Sequence, residues 1–359
     1  MRLIELRLEN LRNISSLDLQ LAPGINLFIG PNGAGKTSIL EGAYLLSHAQ
    51  SFRSGPANTL IRRGADQFNV FARIERQSGP VQVGLSRDAN GWAARINSDD
   101  AASLGHMLRE YAQVCFEPGT HALISGGSDE RRRFLDWGVF HVEPDFMATA
   151  RAFRRALHQR NALLKQGQSD AELDSWDIEV AHAGETLATM RRAYFQHYSR
   201  ALTAALTIYL PELGQTTTRY GQGWSEETSL EEALRETRTL DRSRGYTGRG
   251  PQRADWSIAF AQAPLREHLS RGQEKLCALA CVLAQAQLFA DSRGEWPVIA
   301  LDDLSSELDD AHQRLVVDTL SSCGAQVLIS AIEVPACLRA MDTPTCLFHV
   351  EHGSMRSLL

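Results

Sequence analysis

Residues 2 to 9 set Ile4, Leu6 and Leu8 against Glu5, Arg7 and Glu9, and Ser16 to Leu21 repeat the alternation through Leu17, Leu19 and Leu21. A period of two places one face of a strand against a core, so both segments predict half-buried strands. Ile25 to Ile29, bounded by Pro23-Gly24, is a continuous apolar run and predicts a buried strand. Three more strand-like runs, Phe68 to Glu75, Val81 to Ser86 and Trp92 to Ile96, are separated by Gln77-Ser78-Gly79-Pro80 and Asp88-Ala89-Asn90-Gly91. These spacers are turn formers, and the three runs read as an antiparallel meander.

From about Ser128 the period lengthens. Helical spacing runs from Asp129 to about Lys165 and from Asp170 to about Leu210, with a break at Gly167-Gln168-Ser169. The second stretch carries Leu173, Trp176, Val180, Ala183, Leu187, Met190, Tyr194 and Tyr198 at three-four spacing. At about 1.5 Å per residue it would run roughly 60 Å, which predicts an arm or lobe. Strand-helix alternation then resumes, with a helix over 270–291, a strand over 297–302, a helix over 310–320 and a strand over 325–330. The pattern predicts an α/β protein of mixed sheets and helices, one head split by a helical lobe. The expected divisions are 1–127 for the first half, 128–245 for the lobe and 246–359 for the second half.

The predicted strand 25–29 runs into Gly30-Pro31-Asn32-Gly33-Ala34-Gly35-Lys36-Thr37, which fits the phosphate-binding loop G-x-x-x-x-G-K-[ST] without mismatch. Thr37 to Leu46, with Ile39, Leu40, Ala43 and Leu46 apolar, supplies the helix that must follow. The glycines allow a tight turn whose N–H groups, backed by the helix dipole, face a phosphate. Lys36 is expected to reach the β- and γ-phosphates and Thr37 to ligate Mg²⁺, with Ser38 completing the loop, so ATP or GTP is the predicted ligand.

Two further motifs follow. The strand Pro297 to Leu301 ends in Asp302-Asp303, about 265 residues beyond the loop. Asp302 is expected to hold Mg²⁺, and Asp303 to orient or deprotonate the attacking water. That distance excludes a compact GTPase. Leu269-Ser270-Arg271-Gly272-Gln273 before a long apolar helix resembles the Leu-Ser-Gly-Gly-Gln signature of ABC-type ATPases, with Arg271 in place of the first glycine. An ordinary N-cap by Ser270 is the plainer reading of the same residues. Ser306-Glu307-Leu308-Asp309 after the acidic pair resembles an ABC D-loop. The resemblance implies that two chains sandwich two ATP molecules, with Ser270, Gly272 and Gln273 acting in trans.

Together with Leu8-Glu9-Asn10-Leu11-Arg12-Asn13 and Glu130-Arg131-Arg132-Arg133-Phe134-Leu135-Asp136, these motifs span nearly the whole chain and resemble the RecF family of bacterial recombination-repair ATPases, relatives of SMC heads. The resemblance implies an ABC-type P-loop ATPase head. It further implies a weak, timing ATPase whose ATP-dependent homodimer binds double-stranded and gapped DNA, works with RecR and RecO, and helps load RecA. Arg12 is then a candidate phosphate contact. Gly250-Pro251-Gln252-Arg253 departs from the family's Gly-Pro-His-Arg, the histidine of the ABC switch loop is missing after Ser330, and Gln113 is only a candidate for the ABC Q-loop glutamine.

Charge adds a constraint. With 37 basic and 43 acidic residues the chain carries a net −6, so any nucleic-acid surface must be local. Candidate DNA contacts are Arg131, Arg132, Arg133, Arg151, Arg154, Arg155 and Arg160 on the predicted helices, although acids intervene at Asp129, Glu130, Asp136, Glu143 and Asp145. No aromatic-plus-basic platform stands out, which favours contacts to a duplex backbone. The six cysteines form no C-x-x-C pair, no run of about eighteen apolar residues occurs, and Met1-Arg2-Leu3-Ile4-Glu5 lacks the apolar core of a secretory leader; reduced thiols, no membrane partner and a cytoplasmic location are expected. The alternatives are an ABC transporter-type ATPase subunit, opposed by the missing switch histidine and the long helical insertion, and a standalone kinase or GTPase, in which the signature has no role.

Overall fold

The computed structural model describes residues 1–53, 55–167, 169–339, 345–351 and 353–357. The chain forms two compact units, residues 1–121 with 270–359, and residues 122–269.

The first unit begins with β1 (Arg2–Leu11), β2 (Ile14–Gln20), β3 (Ile25–Ile29), α1 (Lys36–His48), β4 (Phe68–Glu75), β5 (Val81–Asp88), β6 (Gly91–Ile96), β7 (Asp99–Asp100), α2 (Leu104–Leu108) and β8 (Gln113–Phe116). The second unit holds α3 (Ala122–Ser125), α4 (Ser128–Val142), α5 (Phe146–Gln166), α6 (Asp170–Tyr209), β9 (Thr216–Gly221), α7 (Leu230–Glu236), α8 (Arg238–Arg244) and β10 (Asp255–Phe260). The first resumes with α9 (Arg271–Arg293), β11 (Val298–Leu301), α10 (Leu304–Glu307), α11 (Asp310–Cys323), β12 (Val327–Ala331), α12 (Ala336–Arg339), β13 (Thr345–Glu351) and β14 (Ser354–Ser357).

Two six-stranded sheets build the first unit. One is antiparallel, in the order β2-β1-β4-β5-β6-β7, and the other is mixed, in the order β14-β13-β3-β12-β11-β8. In the second sheet β3 runs parallel to β12 and β13, and β11 runs parallel to β12 and β8. The carboxyl ends of strands far apart in sequence therefore line up along one edge, where open α/β sheets bind ligands. The period-two faces of β1, β4 and β5 turn Leu6, Leu8, Val70, Ala72 and Val83 inward, and α1 packs between these strands and the mixed sheet. A Cβ on Gly42 of α1 would stand 2.5 Å from Leu8 Cδ2, so only glycine lets the helix lie this close to β1.

The second unit is built around α6, 40 residues long and unbroken, as its apolar spacing predicts. Its stripe meets Phe134 and Trp256, whose rings lie 5.7 and 5.8 Å from that of Tyr198. The helix expected over 129–165 is instead two helices. Pro144 has no N–H to donate and disfavours helical geometry at Glu143, so α4 ends at Val142 and α5 starts at Phe146. In the predicted break Gly167-Gln168-Ser169, Gln168 lies outside the described residues; Gly167 closes α5 in the left-handed region and Ser169 caps α6. The boundary expected at 245/246 falls inside this unit, because β10 pairs antiparallel with β9 from Asp255↔Gly221 to Phe260↔Thr216 and so keeps residues 246–269 with the helices.

One candidate DNA contact proves to be the buried centre of this unit. Arg160 is fully buried; it donates to Asp177 at 2.5 Å, to Asp241 at 2.9 Å and to Thr247 Oγ1 at 2.8 Å. Arg238 closes the network on Asp177 and Asp174 at 2.5 and 2.6 Å. Arg160 therefore cannot touch DNA and instead ties α5, α6 and α8 together. Breaking a buried ion pair by removing one partner costs about 3–5 kcal/mol, because the other charge stays buried. Arg160→Met is accordingly expected to lower the unfolding free energy of the full chain, measured by urea denaturation, by that amount, whereas a loss within about 0.5 kcal/mol, typical of surface changes, would show that the network is not structural.

Candidate functional site

A cleft of about 530 Å³ opens at the carboxyl ends of the mixed-sheet strands, within the usual size of a small-ligand site. Its floor is the loop between β3 and α1, where Asn32 to Ser38 line the wall. Gly30 and Gly35 have φ of 151° and 117°, and a Cβ on Gly30 would collide with Val350 O at 2.2 Å, so the turn requires glycine there. Gly353 N–H donates to Ala34 O at 2.8 Å, bracing the loop from the β13–β14 hairpin. Asn13 braces it from the β1–β2 turn, donating to Gly33 O at 3.0 Å and accepting from Ser38 Oγ at 3.1 Å.

Gly30 and Pro31 do not line the cleft; their carbonyls hold the Lys36 ammonium at 2.7 and 3.0 Å. Burial lowers the Lys36 pKa, while the charges of Asp303 and Asp302 pull it back up. A bound phosphate would replace both carbonyls with a full counter-charge.

The acidic pair arrives by strand register. Phe116 pairs with Leu301, and Asp302 N–H donates to Phe116 O at 2.8 Å, so β11 ends beside β8 at the cleft. Asp302 Oδ1 accepts from Thr37 Oγ1 at 3.0 Å and from Ser330 Oγ at 2.5 Å, while Asp303 N–H donates to Ser330 Oγ at 2.8 Å. Burial raises the Asp302 pKa and the two hydroxyl bonds oppose it. Thr37 and Asp302 thus present hard oxygen donors side by side, a set that fits Mg²⁺, which takes its other ligands from water and phosphate. Among the described residues no group of three His, Cys, Asp or Glu side chains could hold a metal by itself.

Other predicted residues stand elsewhere. Arg12 lines the cleft, but its guanidinium grips the buried Glu41 carboxylate through two bonds of 2.9 and 2.7 Å and also donates to Thr59 O. Gln113 is fully buried against α1, accepting from Tyr111 OH at 2.8 Å and donating to Ser47 Oγ at 3.0 Å, so it is a core residue and not a site glutamine. Ser270, Gly272 and Gln273 do not line this cleft. Ser270 and Gln273 form a capping box at the start of α9, with Gln273 N–H donating to Ser270 Oγ at 3.2 Å and Ser270 N–H to Gln273 Oε1 at 3.0 Å. Of the arginines on α4, Arg131 is held by Asp255 at 2.7 and 3.0 Å, and Arg132 by Asp129 and Ala254 O. Both are paired inside their own unit and not turned to solvent. Arg133 pairs with Glu130 at 3.2 Å while staying exposed, and Arg151, Arg154 and Arg155 are exposed on α5.

Three cleft residues have no sequence signal. Arg53 follows α1 outside any motif, yet its charge lowers the Asp302 pKa. Ser330 bridges the acidic pair from the end of β12. Glu117 closes the wall after β8; burial, reinforced by Asp302 and Glu307 and opposed by the 2.6 Å bond from Gly119 N–H, lifts its carboxyl from 4.5 to about 7.

The chain matches the RecF/RecN/SMC N terminal domain over residues 2–356. It is 46% identical over 361 residues to the DNA replication and repair protein RecF of Stenotrophomonas maltophilia, covering 99% of both chains. It is 36% identical over 357 residues to that of Aliivibrio fischeri, again with 99% of each covered. Among solved structures it resembles the recombination mediator protein RecF-ATP of the RecFOR pathway, with a TM-score of 0.89 at 25% identity over 99% of this chain and 97% of that one. An SMC head bound to the C-winged helix domain of ScpA superposes with a TM-score of 0.61 at 14% identity, covering 100% of this chain and 97% of that one, a likeness of fold alone.

The raised Glu117 pKa gives the chain a pH dependence. Between pH 4.5 and about 7 the folded chain keeps a proton that the unfolded chain has released, so stability falls as pH rises through that window. Urea denaturation at a series of pH values is expected to show this limb in the nucleotide-free chain and to lose it in Glu117→Gln; an unaltered slope would assign it to another group.

Proposed function

This chain belongs to the RecF family, and on that premise we propose that it is an ATP-dependent DNA-binding protein of replication and recombinational repair, with a weak ATPase that times its release from DNA. The observation that carries the reading is the cleft itself: Lys36 and Thr37 from the first half of the chain meet Asp302 and Asp303 from the second, while the signature at Ser270 is exposed and outside it. Among the described residues the cleft brings together the groups expected to bind ATP, with none of the signature residues over the γ-phosphate position. A second copy, placing its Ser270 hydroxyl and Gly272 and Gln273 N–H groups over that phosphate, completes the site.

In this reading Lys36 leaves its two carbonyls for the β- and γ-phosphates, and the N–H groups of Gly33, Gly35 and Lys36 surround the β-phosphate. Thr37 and Asp302 hold Mg²⁺, which neutralises phosphate charge when bound. Asp303 orients the attacking water and accepts its proton, and Ser330 fixes Asp303 by accepting its backbone N–H. The closed dimer binds double-stranded DNA at gaps, with Arg133, Arg151, Arg154 and Arg155 as candidate phosphate contacts, and acts with RecO and RecR in loading RecA.

Lys36→Ala is expected to abolish fluorescent-ATP binding and, with it, ATP-dependent dimers. Asp303→Asn should bind ATP normally but lose about 10²-fold or more in ADP production, the usual contribution of a general base; wild-type turnover would remove Asp303 from that role. Ser270→Arg is expected to bind ATP yet stay monomeric by light scattering, and an ATP-dependent dimer of that variant would rule out the signature acting in trans.

A further inference from the structure

The end of α8 and the loop that follows it, Arg242-Ser243-Arg244-Gly245-Tyr246-Thr247-Gly248-Arg249-Gly250-Pro251-Gln252-Arg253, carry four arginines and no acid, in a chain of net charge −6. Helix α5 beside it is also free of acids, from Phe146 to Gln166. The two are joined: Thr247 N–H donates to Asn161 Oδ1 of α5 at 2.8 Å, and Lys165 Cγ lies 3.3 Å from where a Cβ on Gly245 would stand. Arg151, Arg154, Arg155, His158 and Lys165 fall on one face of α5 at three-four spacing and are exposed. At about 1.5 Å per residue that line is roughly 21 Å long, and it ends on the loop.

Three acids that flank or touch this segment, Asp241, Asp170 and Asp255, are each paired. Asp241 is buried and holds Arg160 and the Gly248 N–H. Asp170 pairs with Arg242 at 2.7 Å, and Asp255 pairs with Arg131. Arg244, Arg249, Arg253 and Lys165 are exposed and have no acidic partner among the described residues.

The loop is also held in shape from beneath. Thr247 Oγ1 accepts from the buried Arg160 at 2.8 Å, Pro251 O accepts from Arg191 at 2.8 Å, and a Cβ on Gly223 would meet Gly250 O at 2.1 Å. Tyr246 is 41% exposed, and the Arg253 guanidinium sits 5.3 Å from its ring centroid, fixing that cation in place. An ordinary solvated arginine loop needs no such support. A rigid, acid-free row of guanidiniums continuing a cationic helix face is complementary to a regular row of phosphates.

We propose that the segment Arg242–Arg253, from the end of α8 through the loop after it, with Lys165 at the end of α5, is a binding surface for the phosphate backbone of duplex DNA. Arg244, Arg249 and Arg253 make the contacts, and Tyr246 positions Arg253. This rests on the DNA-binding reading above and assigns it a surface outside the candidate arginines of α4 and α5.

The test is fluorescence anisotropy of a labelled duplex with the full chain and ATP, across about 50 to 200 mM salt, where each neutralised phosphate contributes about 0.9 to the slope of log affinity against log salt. Combined Arg244→Gln, Arg249→Gln and Arg253→Gln substitution is expected to reduce that slope by nearly three, at about 0.9 per lost contact, with ATP binding unchanged. A photo-crosslinking phenylalanine analogue at Tyr246, which leaves all the arginines in place, should capture a duplex strand. If the wild-type chain binds duplex and the triple variant keeps its slope, or the crosslinker captures none, this surface is wrong while the DNA-binding reading stands. If the slope falls only with a single strand of the same length, the duplex assignment is overturned. A wild-type chain that binds no duplex at all would overturn the underlying reading, and this surface with it.

Discussion

A 3.0 Å hydrogen bond between Thr37 and Asp302 joins residues 265 positions apart, and most of the first unit serves to make that contact possible. Thr37 is set by the β3–α1 turn, which only glycines can make against Val350 and Asn13. Asp302 is set by β11, which is locked into parallel register with β8 and β12. A parallel sheet forces long crossovers between neighbouring strands. The 148 residues of the second unit can therefore sit within one such crossover without disturbing the site, because β8 and β11 pair whatever the connection between them contains.

The charges in the cleft are balanced but not matched. Lys36 is held by two carbonyl oxygens, which are weaker partners than phosphate oxygens. Asp302 and Glu117 both have pKa values raised by burial, and Asp303 adds a further carboxyl group to the same wall. Such a cleft favours a ligand that brings phosphate to the lysine and a cation to the carboxylates together. The signature helix is the opposite case. Its capping box engages the Gln273 N–H with Ser270 Oγ within one chain, so that N–H must give up an intramolecular hydrogen bond to act on a second copy's nucleotide, whereas the Ser270 hydroxyl can accept that bond and still donate its own proton.

Local chemistry was legible in the sequence and long-range pairing was not. The loop at Gly30 to Thr37, the pair Asp302-Asp303 and strands such as Phe68–Glu75 follow from rules that span fewer than ten residues. The break at Pro144 was missed, because the helical spacing on either side ran across it, although its missing N–H is the cause. By contrast, Arg160 and Gln113 look like surface or site residues because a polar type signals nothing about its partners, and only the fold supplies Asp177 and Asp241 to one and Ser47 to the other. Ser330, Arg53 and Glu117 reach the cleft through strand order and through the turn after α1. The acid-free loop after α8 was visible as composition, but its link to α5 runs through bonds of Thr247 to Asn161 and Arg160 that no periodicity reveals.

The site depends most directly on Thr37 and Asp302 acting as one unit toward a metal-bound nucleotide. A double-mutant cycle of Mg·ATP affinity by calorimetry, with Thr37→Val, Asp302→Asn and both together, measures that coupling. Residues sharing one network are expected to show a coupling of about 0.5–3 kcal/mol, so the double substitution should cost clearly less than the sum of the two single ones. Strictly additive losses would mean that the two side chains act independently, and would contradict a site assembled from both halves of the chain.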